Sequence, residues 1–270
     1  MSKIAFVFPG QGSQYVGMCK AFYDQYPIAR QLFEEADDAL GFSLTKMCFE
    51  GPEADLRLTY NTQPAILTAS TICGEILKQH GVSADIAAGH SLGEYSALVN
   101  AGAMKFADAV RIVRQRGQFM QEAVPVGEGS MSAVMGLANE KIVEICQQVE
   151  TETGLPVQAV NFNCPGQVVI SGSLSGVDAA CKALKEAGAK RALRLPVGGA
   201  FHSPLMQPAK EELQAAIEST TFNTPKCPIY QNVDAQPQTN PESIKQNIIA
   251  QLTAPVRWTQ ISRNMVADGV

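Results

Sequence analysis

The stretch from Ala84 to Ala97, Ala-Asp-Ile-Ala-Ala-Gly-His-Ser-Leu-Gly-Glu-Tyr-Ser-Ala, constrains this chain more than any other. It reads as a short apolar run, a tight turn and an amphipathic helix. Its middle, Gly89-His90-Ser91-Leu92-Gly93, is a G-x-S-x-G pattern in the strand-to-helix context that a nucleophile elbow requires. A serine at such a turn has a strained backbone. The two glycines remove Cβ atoms that would clash there, so the hydroxyl stands clear of the sheet edge. Ser91 is therefore the candidate nucleophile. The helix that follows points its first N–H groups and the positive end of its dipole at the same place, which makes the Leu92 N–H a candidate donor to a developing oxyanion.

With 270 residues the chain is long enough for one large domain, or for one domain carrying a small insertion. Charged residues make up 17% and hydrophobic ones 46%, which excludes a disordered chain, and a net charge of −5 argues against a general nucleic-acid binder. No run approaches the length of a membrane span, and Ile4-Ala-Phe-Val-Phe8 is too short for the core of a signal peptide. The seven cysteines, at 19, 48, 73, 146, 164, 181 and 227, form no close pair, so neither a zinc site nor a redox C-x-x-C is spelled out. A cytoplasmic protein with no metal and no cofactor is expected, since scattered thiols suit a reducing compartment.

The opening run Lys3-Ile-Ala-Phe-Val-Phe8 has the pattern of a buried parallel strand and feeds Gly10-Gln11-Gly12-Ser13-Gln14. The third glycine of a dinucleotide loop is replaced by Tyr15 and no Gly-Lys-Ser/Thr follows, so the turn reads as a backbone donor with Gln11 as the second oxyanion candidate. Helices are expected near 15–25 and 27–40, with Gly41 as a stop, and another opens at Pro64 and runs to about His80, a capping or surface residue. In the helix over 106–121, Arg116 falls in the apolar stripe of Ile112, Val113 and Met120. A guanidinium there needs a partner, and spacing alone leaves two: an internal acid or the carboxylate of a substrate.

After Pro125-Val-Gly-Glu-Gly129 the order becomes strand, helix, strand, strand, helix, strand up to Pro196, which is that of a ferredoxin-like unit. The expected domains are therefore 1–126 with 196–270 as a discontinuous catalytic domain, and 127–195 as an inserted subdomain. The insert carries Lys182, Lys185, Lys190, Arg191 and Arg194, either a solvated face or a docking patch for an acidic partner. A Gly-rich turn then delivers His202. Of the three histidines, His80 ends a helix and His90 sits inside the elbow, so His202 is the base by elimination; no acid is evident to orient it, and a backbone carbonyl can serve.

Gly10-Gln-Gly-Ser-Gln14, Gly89-His-Ser-Leu-Gly-Glu-Tyr95, Arg116-Gly117, Asn163-Cys-Pro-Gly-Gln-Val-Val-Ile170 and Gly199-Ala-Phe-His202 occur in this order. Together they resemble the malonyl-CoA:acyl carrier protein transacylase family over essentially the whole chain. The resemblance implies an α/β-hydrolase-like parallel-sheet core with an inserted ferredoxin-like subdomain. It also implies transfer of a malonyl group from malonyl-CoA to the phosphopantetheine thiol of acyl carrier protein through an ester on Ser91. His202 would be the base, oriented by the backbone carbonyl of Gln251, and the N–H groups of Gln11 and Leu92 would form the oxyanion hole. Arg116 would hold the free malonyl carboxylate, and Met120, Phe201 and Asn163 would contact substrate, Phe201 limiting branching at the α-carbon. The alternative within the family is an acyltransferase serving a polyketide assembly line; a hydrolase and a non-catalytic carrier-binding module rank below it. A monomer is expected, with malonyl-CoA and acyl carrier protein as partners and neither nucleic acid nor membrane. Family members continue with a Gly-Pro-Gly strand and a closing helix beyond the position of Val270.

Overall fold

The computed structural model describes residues 3–125 and 127–270; Met1, Ser2 and Val126, which bound the first expected segment, lie outside the described residues. In chain order, β1 (Ala5–Phe8) leads to α1 (Lys20–Gln25), α2 (Pro27–Leu40), α3 (Leu44–Glu50), α4 (Glu53–Leu56) and α5 (Thr59–Gln79). The elbow stretch is β2 (Ile86–Gly89) and α6 (Leu92–Asn100), followed by α7 (Phe106–Glu122). Then come β3 (Gly129–Met135), α8 (Asn139–Thr153), β4 (Val157–Cys164), β5 (Gln167–Ser173), α9 (Leu174–Glu186) and β6 (Arg191–Arg194). The chain closes with α10 (Gln207–Glu218), β7 (Ile229–Tyr230), β8 (Pro237–Gln238), α11 (Pro241–Ala250) and α12 (Trp258–Ala267).

The fold is an α/β-hydrolase-like core with an inserted ferredoxin-like unit. One sheet has the order β1-β2-β7-β8, and β2 pairs in parallel with β1 on one side and β7 on the other. All four residues of β2 are buried, as a strand covered on both faces by helices must be. The register sets Phe8 against Gly89, so the turn after β1 and the elbow after β2 leave the sheet side by side at its carboxyl edge. The second sheet is antiparallel in the order β4-β5-β3-β6. Its helices α8 and α9 cover one face through Ile142, Cys146, Val177 and Leu184, packed on Val134, Val168 and Ile170 in a cluster separate from the main core. Main chain ties the second sheet to the C-terminal part of the chain: Val256 N–H donates to Val160 O (2.7 Å) and Phe162 N–H to Val256 O (3.0 Å), which holds β4 to the segment before α12.

Several boundaries differ from the sequence expectation. The first helix is shorter, starting at Lys20 rather than near 15. Helix α5 does not open at Pro64 but at Thr59, with the proline inside it. Pro64 lacks the N–H that would bind the carbonyl of Tyr60 one turn earlier. That carbonyl is taken instead by Arg114 from α7 (3.0 Å), whose guanidinium lies over the rings of Tyr60 and Phe42. Arginine on the neighbouring helix thus restores the bond, and the helix continues. Gly41 does end α2, in the left-handed conformation (φ 73°), and His80 caps α5 on the surface against Tyr26.

Candidate active site

Ser91 sits between β2 and α6 with φ 51° and ψ −104°, a backbone that only surrounding constraints can hold. Those constraints are close packing and side-chain hydrogen bonds. A Cβ on Gly89 would stand 1.9 Å from the carbonyl of Gly93, and one on Gly93 would stand 2.2 Å from Phe8 O, so both positions admit only glycine. Asn232, just past β7, accepts from the Ser91 N–H (2.7 Å) and donates to Gly89 O (2.7 Å), clamping the turn from both sides. The Leu92 N–H, first of α6, and the Gln11 N–H, in the turn after β1, find no acceptor among the described residues.

His202 lies on the opposite wall, buried and also at positive φ (61°). Its Nε2 is 2.7 Å from Ser91 Oγ, and its Nδ1 is 3.0 Å from the backbone O of Gln251. A carbonyl can only accept, so Nδ1 carries the proton and Nε2 offers its lone pair to the serine hydroxyl. Burial first, then the neighbouring Arg116 charge, push this imidazole down to about 3. It is therefore neutral at neutral pH and poised to accept a proton.

Arg116 is only 1% exposed, and no acid pairs with it among the described residues. Its Nη1 donates to Gln63 Oε1 (2.8 Å), and its Nη2 to Gln251 Oε1 (2.9 Å) and Ser91 Oγ (3.0 Å), while Nε has no partner. The ring of Tyr95 lies 5.5 Å from the guanidinium carbon. Of the two partners open to Arg116 in the sequence, the internal acid is absent from contact. The nearest buried carboxylate, Glu94, stands behind Gln251. The Gln251 amide donates to Glu94 Oε2 (2.8 Å) and to Ser91 O (3.1 Å) while its oxygen faces Arg116, so one amide bridges a buried cation and a buried anion. Glu94 also accepts from Gln231 Nε2 (2.9 Å) and Asn232 N–H (3.0 Å), and burial raises its carboxyl to about 7 against these donors.

Ser91, His202, Arg116, Gln11, Leu92, Met120 and Phe201 line one cavity of about 110 Å³, bounded also by Met131 and Leu195 of the insert and by Val197 just after it. Asn163 is not among its walls. Its Oδ1 meets His90 Nε2 (2.9 Å), and it lines an adjoining cleft of about 500 Å³ with Gln11, His90, Gln167 and Trp258. Asn161, two residues earlier on the bulged strand β4, lines the cavity instead, with an Oδ1 that is buried and without a partner. The alternation of a strand puts residues 161 and 163 on one face, so Asn161-Phe-Asn163 carried that signal. Gln63, Glu94, Gln231 and Asn232 went unread because a polar side chain in an apolar helix or strand end does not disclose its partner. Among the described residues no cluster of histidine, cysteine, aspartate or glutamate is placed to hold a metal.

As pH falls from about 7.5 to about 5, an imidazole held near 3 stays unprotonated, whereas a carboxyl held near 7 gains a proton and loses an acceptor for Gln251. Serine acylation in the wild type is therefore expected to decline through an apparent pKa near 7, and Glu94→Gln to be slow and flat over the same range. Stopped-time acylation at several pH values checks this. An unchanged decline in Glu94→Gln would assign the titration to the histidine and contradict the assignment.

Comparison with known proteins accords with this geometry. The family model described as acyl transferase domain matches residues 5–270. A malonyl CoA-acyl carrier protein transacylase of Bacillus subtilis is 50% identical over 270 residues, covering 100% of this chain and 85% of the relative. A crystal structure of an acyl carrier protein S-malonyltransferase from Vibrio cholerae superposes with a TM-score of 0.97 at 47% identity, covering 100% of this chain and 88% of that one. A malonyl-transacylase in complex with a type II PKS acyl-carrier protein superposes with a TM-score of 0.96 at 44% identity, covering 100% and 87%.

Proposed function

Because this chain belongs to the acyl transferase domain family, we propose that its site carries out malonyl transfer from malonyl-CoA to acyl carrier protein, as a step of fatty-acid synthesis. The observation that carries this reading is the buried, acid-free Arg116 beside Ser91 Oγ. A guanidinium sealed from water without a counter-charge in contact is unfavourable, and a carboxylate delivered by the substrate offsets that cost with paired hydrogen bonds. The substrate is thus an acyl group bearing a free acid near the carbonyl under attack.

In the first half-reaction the Ser91 hydroxyl gives its proton to His202 Nε2 while Oγ bonds to the thioester carbon. The Gln11 and Leu92 N–H groups hold the tetrahedral oxyanion. Collapse breaks the carbon–sulfur bond, and the imidazolium returns its proton to the departing coenzyme A sulfur. In the second half the pantetheine thiol of the carrier gives its proton to the same nitrogen, its sulfur bonds to the ester carbon, and Ser91 leaves reprotonated. The cleft of about 500 Å³ that holds His90 and Asn163 adjoins the cavity and has room for a pantetheine arm, so in this reading Asn163 contacts the arm rather than the acyl group. Met120 and Phe201 bound the acyl group itself. The same chemistry on a polyketide carrier is the second reading, favoured by the likeness to the transacylase solved with a type II PKS carrier.

The catalytic unit in this reading is 1–126 with 196–270, and 127–195 is the insert that closes the cavity. Lys182 and Lys185 on α9, Lys190 in the turn after it and Arg191 on β6 are exposed, while Arg194 pairs with Asp178. Since β6 runs directly into Leu195 and Val197 on the cavity wall, an acidic carrier docked on these cations would stand at the site's entrance. A monomer is part of this reading. The seven unpaired thiols suit the cytoplasm, and among the described residues no helix is long and apolar enough to cross a membrane.

Intact mass after mixing with malonyl-CoA tests the transfer. A malonyl adduct is expected that is absent in Ser91→Ala and moves to added acyl carrier protein; an adduct that decays at the same rate with or without carrier would instead mark a hydrolase. Reversal of Lys182 and Lys185 to Glu is expected to slow discharge to the carrier while leaving formation of the adduct intact. Unchanged discharge would dismiss this face as the docking surface.

A further inference from the structure

Two cysteines far apart in sequence meet outside the catalytic site. Cys19 ends the loop between β1 and α1, with φ 61° and ψ 5°. A residue other than glycine takes that left-handed backbone only where its surroundings hold it, and here the Tyr23 N–H donates to Cys19 O (2.9 Å) as α1 begins. In this conformation the Cys19 side chain lies against α5, its Sγ 3.9 Å from the carbonyl oxygen of Ala69. That carbonyl is one helical turn before Cys73. The thiols are therefore neighbours, and the Cys19 S–H donates a hydrogen bond to the Cys73 sulfur. Both line one groove of about 480 Å³ beside β1, where Cys73 is exposed and Cys19 half-buried.

We propose that Cys19 and Cys73 form a dithiol couple, which a small disulfide of the glutathione type converts to an intramolecular disulfide and a thiol reductant restores. This goes beyond the acyl-transfer reading and does not depend on it. The hydrogen bond from Cys19 holds the Cys73 thiol down to about 7 against the opposing effect of burial, so a large share is thiolate at neutral pH. That thiolate attacks one sulfur of the oxidant, whose S–S bond breaks; one thiolate departs and takes a proton, and a mixed disulfide remains on Cys73. Cys19 is pushed up by its bond to Cys73 and by burial, so it stays a thiol until this point. Once Cys73 has lost its charge, that opposition goes. The Cys19 proton passes to water, its sulfur bonds to Cys73 Sγ, and the second oxidant thiolate leaves. Two protein thiols have been oxidised and one disulfide reduced to two thiols. Cys48, whose charge also reaches Cys19, is fully buried and pushed up to about 12, which keeps it out of the exchange. Reducing conditions leave the couple open, and an oxidant staples the loop that carries Gln11 to α5.

The test treats the folded protein with glutathione disulfide, quenches in acid, alkylates with iodoacetamide in denaturant, and reads the intact mass and the peptide map. Untreated protein is expected to carry an alkyl group on each of its seven cysteines, and treated protein on all but Cys19 and Cys73, with no glutathione retained and one bridged peptide joining those two positions. Dithiothreitol is expected to restore full alkylation. Cys19→Ser is expected to stop with one glutathione held on Cys73, and Cys73→Ser to react about tenfold more slowly or less. The bridge is read in the wild type, so the result stands whether or not either variant folds. Full alkylation after treatment, glutathione that persists on wild-type Cys73, a bridge to Cys48 or any other cysteine, or a folded Cys73→Ser that reacts as fast as the wild type would each overturn the proposal.

Discussion

A positive charge sealed inside the protein beside the nucleophile is the constraint that the rest of the site answers. Transfer of a guanidinium out of water costs several kcal/mol even after relaxation. Here its hydrogen bonds go to two neutral amides and the serine hydroxyl, with an aromatic face beneath. Amide oxygens stabilise the cation without neutralising it, and the counter-charge, Glu94, is kept at one remove behind Gln251. An acid in direct contact would fill the cavity and satisfy the arginine permanently. Held one amide away, Glu94 lets the protein fold around Arg116 and still leaves that cation able to receive an anion from the substrate.

Gln251 is where these requirements meet. Its backbone carbonyl orients the imidazole, its amide oxygen faces the guanidinium, and its amide nitrogen reaches both Glu94 and the Ser91 carbonyl. Base, nucleophile and cation therefore share one reference point, supplied by the end of α11 rather than by the elbow itself. The absence of a third acid on the histidine follows from the same arrangement. A carboxylate at Nδ1 would add a charge to a buried cluster that already holds Arg116 and Glu94, while a carbonyl fixes the same tautomer at no such cost.

The chemistry-bearing residues were legible because each is announced by a local rule. G-x-S-x-G between an apolar run and a helix places Ser91, the scarcity of histidine leaves His202, and an arginine in an apolar stripe marks itself as exceptional. The insert was legible from its strand and helix order. What was not legible depends on partners distant in sequence. Pro64 reads as a helix start, and only Arg114, some fifty residues on, makes it tolerable inside one. Asn163, assigned to substrate by motif, meets His90 on the wall of the adjoining cleft, while Asn161 on the same face reaches the cavity. Gln63, Glu94 and Asn232 have their roles only through contacts across the fold. Periodicity reports which face is buried and is silent on what that face touches.

The central claim is that Arg116 awaits a carboxylate from the substrate, and the measurement that reaches it most directly is the ratio of malonyl to acetyl uptake by Ser91 in the wild type and in Arg116→Ala. Both donors lose the arginine's hydrogen bond to the serine hydroxyl, so that loss cancels in the ratio. The account predicts that the malonyl-to-acetyl ratio falls by about a hundredfold, as expected for removing one partner of a buried charged pair. A ratio that stays at the wild-type value would mean that Arg116 serves the serine alone, and would contradict the account.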